Sequence, residues 1–377
     1  MHIVDATMFF CARSGGVKRY LLAKRAWLKR HAPTIQHTLL VPAPQGRLHD
    51  ACTASSLALQ LRDGYRFPIA RGAWRRQLLA LAPDLIEAAD PYVPAWAVRQ
   101  AADHLRVPSI AFFHSDMARM VAARVGRWIE PVARAYLRRL YDGFALVLAP
   151  SRRMHQQLLD IGIQHVRLQP LGVDTETFTP TRADGRLRTA LGLDATTKLL
   201  VYAGRFAAEK NIPMLQSVAA QLGCGYHLVL IGGHARQRID SNVTVLPYQR
   251  SAERLARWLA SCDVFVHAGD SETYGLVVVE AMACGLPIVA APCAALPELV
   301  DREVGLLAER ASADALAEAV VAVCAQDRAA IGMRARERAA NRHAWDAVFP
   351  RLLTHYSSVC ARAPIVQPCP IGSEAEG

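Results

Sequence analysis

Two glutamates eight residues apart, Glu272 and Glu280, sit either side of a tight turn, Tyr274-Gly275-Leu276. They lie between two short β-branched apolar runs, Asp263 to His267 and Leu286 to Ala291. Such runs read as buried strands, and the stretch between them as the helix of a parallel βαβ unit. Free N–H groups at the start of that helix, together with its dipole, favour an anion such as a phosphate. Glu280, one turn further in, can accept both hydroxyls of an adjacent ribose. Glu272, on the loop, faces the other end of the same ligand. A nucleoside diphosphate carrying a sugar has its parts in this order.

Earlier in the chain, Arg205 and Lys210 stand five apart in the loop Gly204 to Asn211, which follows a strand at Lys198 to Ala203 and opens the next helix. At that spacing both cations can converge on one anion. Near the N-terminus a strand, His2 to Ala6, leads through Cys11-Ala-Arg-Ser-Gly-Gly-Val17 into a helix from about Lys18 to His31. The Gly15-Gly16 pair lets a ligand approach the backbone. It is not the Gly-x-Gly-x-x-Gly pattern of a dinucleotide site. Lys18 and Arg19 read either as cleft cations or as a solvated helix face.

The elements that must position these residues alternate regularly. Strands are expected at His37 to Pro42, Asp84 to Ala89, Pro108 to Phe113, Ala145 to Ala149 and Val166 to Gln169, with helices at Arg71 to Leu81, Val93 to His104 and across Met117 to Tyr141. After a linker with turn chemistry, Pro170 to Pro180, the pattern restarts with strands at Lys198 to Ala203, Tyr226 to Ile231 and Val243 to Leu246. Alternation at this spacing means two α/β domains with parallel sheets, and ligands in such sheets bind beyond the carboxyl ends of the strands. Asp90-Pro91-Tyr92 and His114-Ser115-Asp116 are polar stretches at two of those ends.

Composition narrows the partners. The 377 residues, 52% of them apolar, suffice for two ordinary cores. Nine scattered cysteines without a Cys-x-x-Cys pair argue against a disulfide framework or a zinc site and fit a reducing cytosol. No signal peptide or membrane span is legible. A net charge of +11 asks for an acidic partner. No nucleic-acid-binding motif accompanies it, so nucleic acid is not expected. The arginine-rich stretch Met117 to Tyr141 carries an apolar stripe, Trp128, Ile129, Val132, Tyr136, Leu137 and Leu140. It reads as a core-facing amphipathic helix or as a surface for anionic lipid.

A glutamate, seven residues, a second glutamate and then Ala-Met-Ala-Cys-Gly-Leu-Pro-Ile-Val resembles the signature of the retaining glycosyltransferases of family 4, the group 1 glycosyltransferases, and the likeness extends along the chain up to the tail. The resemblance implies the GT-B fold: two Rossmann-like domains whose parallel sheets face each other across a cleft, here residues 1–172 and 179–344, with a terminal helix 345–362 crossing back to the first domain and a disordered tail 363–377. It implies a hexose moved from a UDP- or GDP-linked donor to an acceptor hydroxyl on a lipid or saccharide of the cell envelope, at the cytoplasmic face of a membrane, with no cofactor and no metal. It assigns the donor diphosphate to Arg205 and Lys210, which would stabilise the negative charge that grows there as the sugar bond breaks. Ribose falls to Glu280, sugar hydroxyls to Glu272 and the reacting centre to His114. Gly16, Tyr248, Tyr274, Gly275, Leu276 and Val277 complete the donor contacts.

Two departures are visible. Pro170 replaces the asparagine usual in the family hinge, and Cys293-Ala294-Ala295 stands where glycines are usual. An epimerase or a phosphorylase on the same fold would use related phosphate contacts. A non-catalytic membrane- or partner-binding protein could keep the fold, but the four intact charged residues weigh against that reading.

Overall fold

Four- to eight-residue runs rich in Val, Ile and Leu become strands buried on both faces, and the computed structural model arranges them in two large sheets. It describes residues 1–11, 15–42, 52–54, 58–60 and 66–361. Residues 12–14 of the glycine-pair loop and the tail from 363 lie outside the described residues.

The first half contributes β1 (His2–Ala6), β2 (Gln36–Pro42), β3 (Cys52–Ala54), a small antiparallel pair β4 (Ala58–Gln60) and β5 (Arg66–Pro68), then β6 (Leu85–Ala88), β7 (Ser109–Phe112), β8 (Leu146–Ala149) and β9 (Val166–Leu168). All but the small pair join one parallel sheet in the order β3-β2-β1-β6-β7-β8-β9.

The second half contributes β10 (Lys198–Ala203), β11 (Tyr226–Gly233), β12 (Gln237–Asp240), β13 (Val243–Pro247), β14 (Val264–His267), β15 (Ile288–Ala290) and β16 (Gly305–Leu307), in the order β12-β13-β11-β10-β14-β15-β16. Only β12 in this sheet runs antiparallel. It is an exposed edge of four residues, so no apolar alternation announces it.

Helices cover both sheets, and the large strands fall within two residues of their sequence expectations. The Met117-to-Tyr141 stretch divides at Gly126 into helices Met117–Val125 and Glu130–Tyr141, with a 3-10 turn Arg127–Ile129 between them. The apolar stripe expected along this stretch divides with it. Ala133, Leu137 and Leu140 face the core, whereas Trp128 is 70% and Val132 61% exposed.

Two crossings join the halves side by side: Val173 N–H donates to the His343 carbonyl at 2.7 Å, and Trp345 N–H to the Val173 carbonyl at 3.3 Å. Asp174 supports the first crossing by accepting from the Glu176 and Thr177 amides, both at 3.0 Å. The terminal helix Trp345–Cys360 then returns to the first sheet. Its buried Tyr356 phenol donates to Glu87 and accepts from Lys24, whose ammonium is 2.8 Å from Asp5. A buried network of this kind holds only if each charge has its partner.

Candidate active site

The second-domain half of the site lies at the carboxyl ends of β10, β11 and β14, the position the parallel topology dictates. Arg205 to Lys210 follows β10. It is seated on β11 because Gly204 N–H donates to the Ile231 carbonyl at 2.9 Å, and a methyl group at Gly232 would fall 1.8 Å from the Gly204 carbonyl oxygen. As the sequence reading has it, this loop leads directly into the next helix. Ala208–Lys210 is a 3-10 turn, Asn211 is left-handed, and the helix begins at Ile212. Asp270 N–H donates to the Glu209 carbonyl at 3.1 Å, which ties this loop to the one carrying Glu272.

Lys210 Nζ donates to Glu272 Oε1, and the buried His267 presents Nε2 to the same oxygen at 3.0 Å. Gly269 N–H donates to His267 Nδ1 at 3.1 Å, so the ring proton sits on Nε2 and points at the carboxylate. Burial opposes the charge on Glu272, but Lys210 and then His267 more than reverse it, holding the carboxyl well below the usual range. Glu272 is therefore an anion at any working pH. Arg205 stands apart, half exposed, with Glu209 as a distant partner at 3.8 Å. The sequence singled out Lys210 and Glu272 but missed His267; a histidine closing a parallel strand was the available signal.

Gly275 caps the Leu276–Ala283 helix at φ 94, a left-handed conformation that suits glycine, and no side chain caps the amides that follow, Leu276 and Val277 among them. Those amides and the dipole behind them are open to an anion. The Tyr274 side chain turns away: its phenol donates to the Leu171 carbonyl at 2.6 Å and meets His343 Nδ1 at 2.7 Å, in the hinge. Only its backbone stands at the turn.

The first-domain half closes from the other side. A methyl group at Gly16 would come 3.5 Å from the Leu276 side chain, so the starts of the Gly16–His31 and Leu276–Ala283 helices face each other. Arg19 donates to the buried Glu280, within electrostatic reach of Tyr248. Lys18 instead reaches the Cys11 carbonyl at 3.0 Å.

His114 lies stacked on Phe112 at 4.0 Å and beside Tyr20 at 5.0 Å, with neither ring nitrogen hydrogen-bonded among the described residues. Burial, and then Lys24, push its pKa down to about 3, so the ring is neutral. Its carbonyl accepts from Thr273 Oγ1 at 2.9 Å, a direct contact between the domains.

A cavity of about 320 Å³ remains in the cleft beside Glu272, walled by Asp116, Arg119, Arg153 and Gln157 on one side and by Ser271 and Thr273 on the other. Ala294, at its rim, has φ 52. Alanine thus occupies a left-handed position that glycine would hold without strain, at the place where the sequence departs from the usual glycines.

Known proteins resemble this chain over most of its length. Residues 14–177 match the model described as Glycosyltransferase Family 4, and residues 197–326 the one described as Glycosyl transferases group 1. A GDP-mannose-dependent alpha-mannosyltransferase of Mycolicibacterium smegmatis is 32% identical over 74% of this chain and 75% of its own length. The chain belongs to the family 4, group 1 glycosyltransferases.

Another relative of this family 4 glycosyltransferase is a GDP-mannose-dependent alpha-(1-6)-phosphatidylinositol dimannoside mannosyltransferase of Mycobacterium tuberculosis, 28% identical over 91% of this chain and 92% of that one. Among solved structures, sucrose-phosphate synthase of Thermosynechococcus elongatus superposes with a TM-score of 0.78 at 20% identity, covering 96% of this chain and 99% of the other. The Anabaena protein HepE, in complex with UDP and glucose, gives 0.74 at 21% identity, covering 95% and 100%. Both establish the GT-B fold of the glycosyltransferase. Its co-substrate class, a nucleotide sugar, follows from the family.

Proposed function

We propose that this glycosyltransferase moves a hexose from a GDP- or UDP-linked donor to a hydroxyl on a lipid or glycan intermediate of the cell envelope, without a metal and with retention at the anomeric carbon. GDP-mannose is the first donor to try, after the names of the two mannosyltransferases above; UDP-glucose is the second. In this reading the crossings at Val173 and Ala344 separate a first domain of residues 1–172 from a second of 179–344.

The observation that carries the proposal is the Lys210–Glu272–His267 cluster beside the uncapped amides of Leu276 and Val277. The amides, Lys210 and the free-swinging Arg205 take the diphosphate. As the anomeric bond breaks, the electron pair goes to the β-phosphate oxygen, and fixed positive charge there stabilises the transition state more than the bound donor. Glu272, held ionised, accepts hydroxyls of the transferred sugar. Glu280 exchanges Arg19 for the ribose. The acceptor hydroxyl attacks from the leaving-group side, and its proton passes to the departing diphosphate, so retention needs no covalent nucleophile. Neutral His114 lines the reacting centre through its ring edge and backbone.

Exposed Val125, Trp128 and Val132, flanked by exposed Arg124, Arg127, Arg134 and Arg138, support a peripheral cytoplasmic location on an anionic membrane. Among the described residues no helix is long and apolar enough to cross a membrane.

The test is nucleotide release from a panel of donors, with and without acceptor. Lys210→Ala and Glu280→Ala, each verified as folded by circular dichroism, should lower transfer from the true donor by more than about a hundredfold. Near-wild-type transfer by either variant overturns the assignment. Donor consumption that needs no acceptor, or that requires inorganic phosphate, points instead to an epimerase or a phosphorylase.

A further inference from the structure

The donor half of the cleft is short of free positive charge. Lys210 donates to Glu272, and Arg205 lies 3.8 Å from Glu209, so each cation already faces a carboxylate before a dianionic diphosphate arrives. The amides of Leu276 and Val277 supply dipoles but no net charge. A guanidinium of the first domain stands close to them with a different partner. Arg19 donates to Glu280, and its guanidinium carbon lies 5.9 Å from the centre of the Phe178 ring in the linker.

Exchanging Arg19 for a ribose leaves a charge to be placed. Glu280 is buried, and a buried carboxylate stripped of its cation is strongly destabilised. Two neutral hydroxyls satisfy its oxygens but not its charge, so the guanidinium must settle close by rather than in solvent. Glu280 Oε2 has no hydrogen-bond partner among the described residues, so the first ribose hydroxyl binds there while Arg19 still holds Oε1. The Arg19 side chain is 31% exposed against 1% for Glu280, which makes it the partner able to move.

The helices set its destination. Arg19 is the fourth residue of the Gly16–His31 helix and Glu280 the fifth of the Leu276–Ala283 helix, and the two starts face each other through Gly16 and Leu276. An anion at the Leu276 amides therefore lies one helical turn, about 5.4 Å, from the level of the Arg19–Glu280 pair. Helical side chains lean towards the N-terminus of their helix, which aims Arg19 that way.

We infer that Arg19 is a catalytic residue released by the donor itself: the ribose takes Glu280 from it, and the freed guanidinium crosses to the diphosphate, where it joins Arg205 and Lys210 in stabilising the leaving group. The inference rests on the proposed donor site. Glu280 stores the cation while the cleft is empty, so the extra charge reaches the diphosphate only when a ribose is in place, and there it favours the transition state in which negative charge grows.

The dissociation constants of a nucleoside and its diphosphate, guanosine with GDP and uridine with UDP, test this on the full chain, wild type against Arg19→Gln. Glutamine keeps an N–H for Glu280 and removes the charge. Expected are changes of opposite sign. The nucleoside, no longer competing with a guanidinium, binds more tightly, and the diphosphate binds about tenfold or more weakly, the size of a charge-assisted hydrogen bond. In transfer assays kcat falls by about tenfold or more, and Arg19→Lys, which keeps a positive charge, recovers part of it. Tighter binding of both ligands makes Arg19 a competitor only, weaker binding of both makes it a structural residue, and either result overturns the inference while leaving the donor site standing. If neither diphosphate binds the wild type, the donor reading fails and the inference with it. Should Arg19→Gln not fold, a crystal structure of the wild type with the bound diphosphate decides: Arg19 within hydrogen-bond distance of a phosphate oxygen supports the inference, and Arg19 still on Glu280 overturns it.

Discussion

Arg19, on the first helix of the first domain, donates across the cleft to Glu280, a residue 1% exposed whose second oxygen has no hydrogen-bond partner among the described residues. In the proposed arrangement the ribose position is therefore occupied by a side chain of the protein itself, and this contact links the two domains. Arg19→Met should leave a buried carboxylate without its cation, at a cost of about 1–3 kcal/mol in urea unfolding. Small-angle scattering of the ligand-free variant should give a larger radius of gyration than the wild type. An unchanged radius would mean that Thr273, Tyr274 and Glu298 hold the closure alone.

His267 touches no substrate in the proposed arrangement; it orients Glu272. His267→Ala should therefore lower kcat by about 10- to 100-fold, the effect of a misplaced polar contact, with little change in donor KM. His267→Gln, whose amide can still donate to Glu272, should recover part of the loss. Equal defects in both variants would argue for a packing role only.

Trp128 and Val132 stand exposed among arginines where the core does not need them. Vesicles of phosphatidylglycerol and phosphatidylcholine should sediment with the protein at low salt and lose it at high salt, as screening predicts. Trp128→Ala should weaken partitioning by about tenfold or more, in line with roughly 1.5–3 kcal/mol for burying a large apolar side chain. Absence of binding at low salt would dispose of the lipid surface.

Asp90, just past the end of β6, is buried, with one oxygen accepting from Thr7 Oγ1 at 2.9 Å and Met8 N–H at 2.7 Å and the other without a hydrogen-bond partner among the described residues. Burial pushes its pKa up from 3.8 to about 6. A raised folded-state value means the folded chain holds this proton more tightly than the unfolded chain. The associated stability, roughly 3 kcal/mol, is full below pH 3.8 and is lost as the pH rises through 6. Urea midpoints of wild type and Asp90→Asn, compared from pH 4 to 8, should diverge over that interval. Parallel curves would remove Asp90 as the titrating group.

Legibility followed the range of the interaction. The βαβ periodicity around Glu272 and Glu280 is a local property, because buried parallel strands must be apolar throughout and a left-handed cap favours glycine; these elements matched within two residues. The edge strand β12, polar and four residues long, has no such signature. The Trp128 stripe left a core face and a lipid-facing surface both open, because helical spacing cannot tell which side of a helix finds the core; the structure buries Leu137 and Leu140 and leaves Trp128 and Val132 exposed.

The sequence by itself determined the family and the two-domain architecture, and it singled out Lys210, Glu272 and Glu280 as candidates, because residue type and spacing within each loop-and-helix unit are enough for that. Only the tertiary structure decided that His267 backs Glu272, that Arg19 lies on Glu280, that the Tyr274 phenol belongs to the hinge, and that Arg119 and Arg153 share a cavity with Glu272. Those pairs are brought together from different strands or different domains, and distance along the chain carries no information about contact across a cleft.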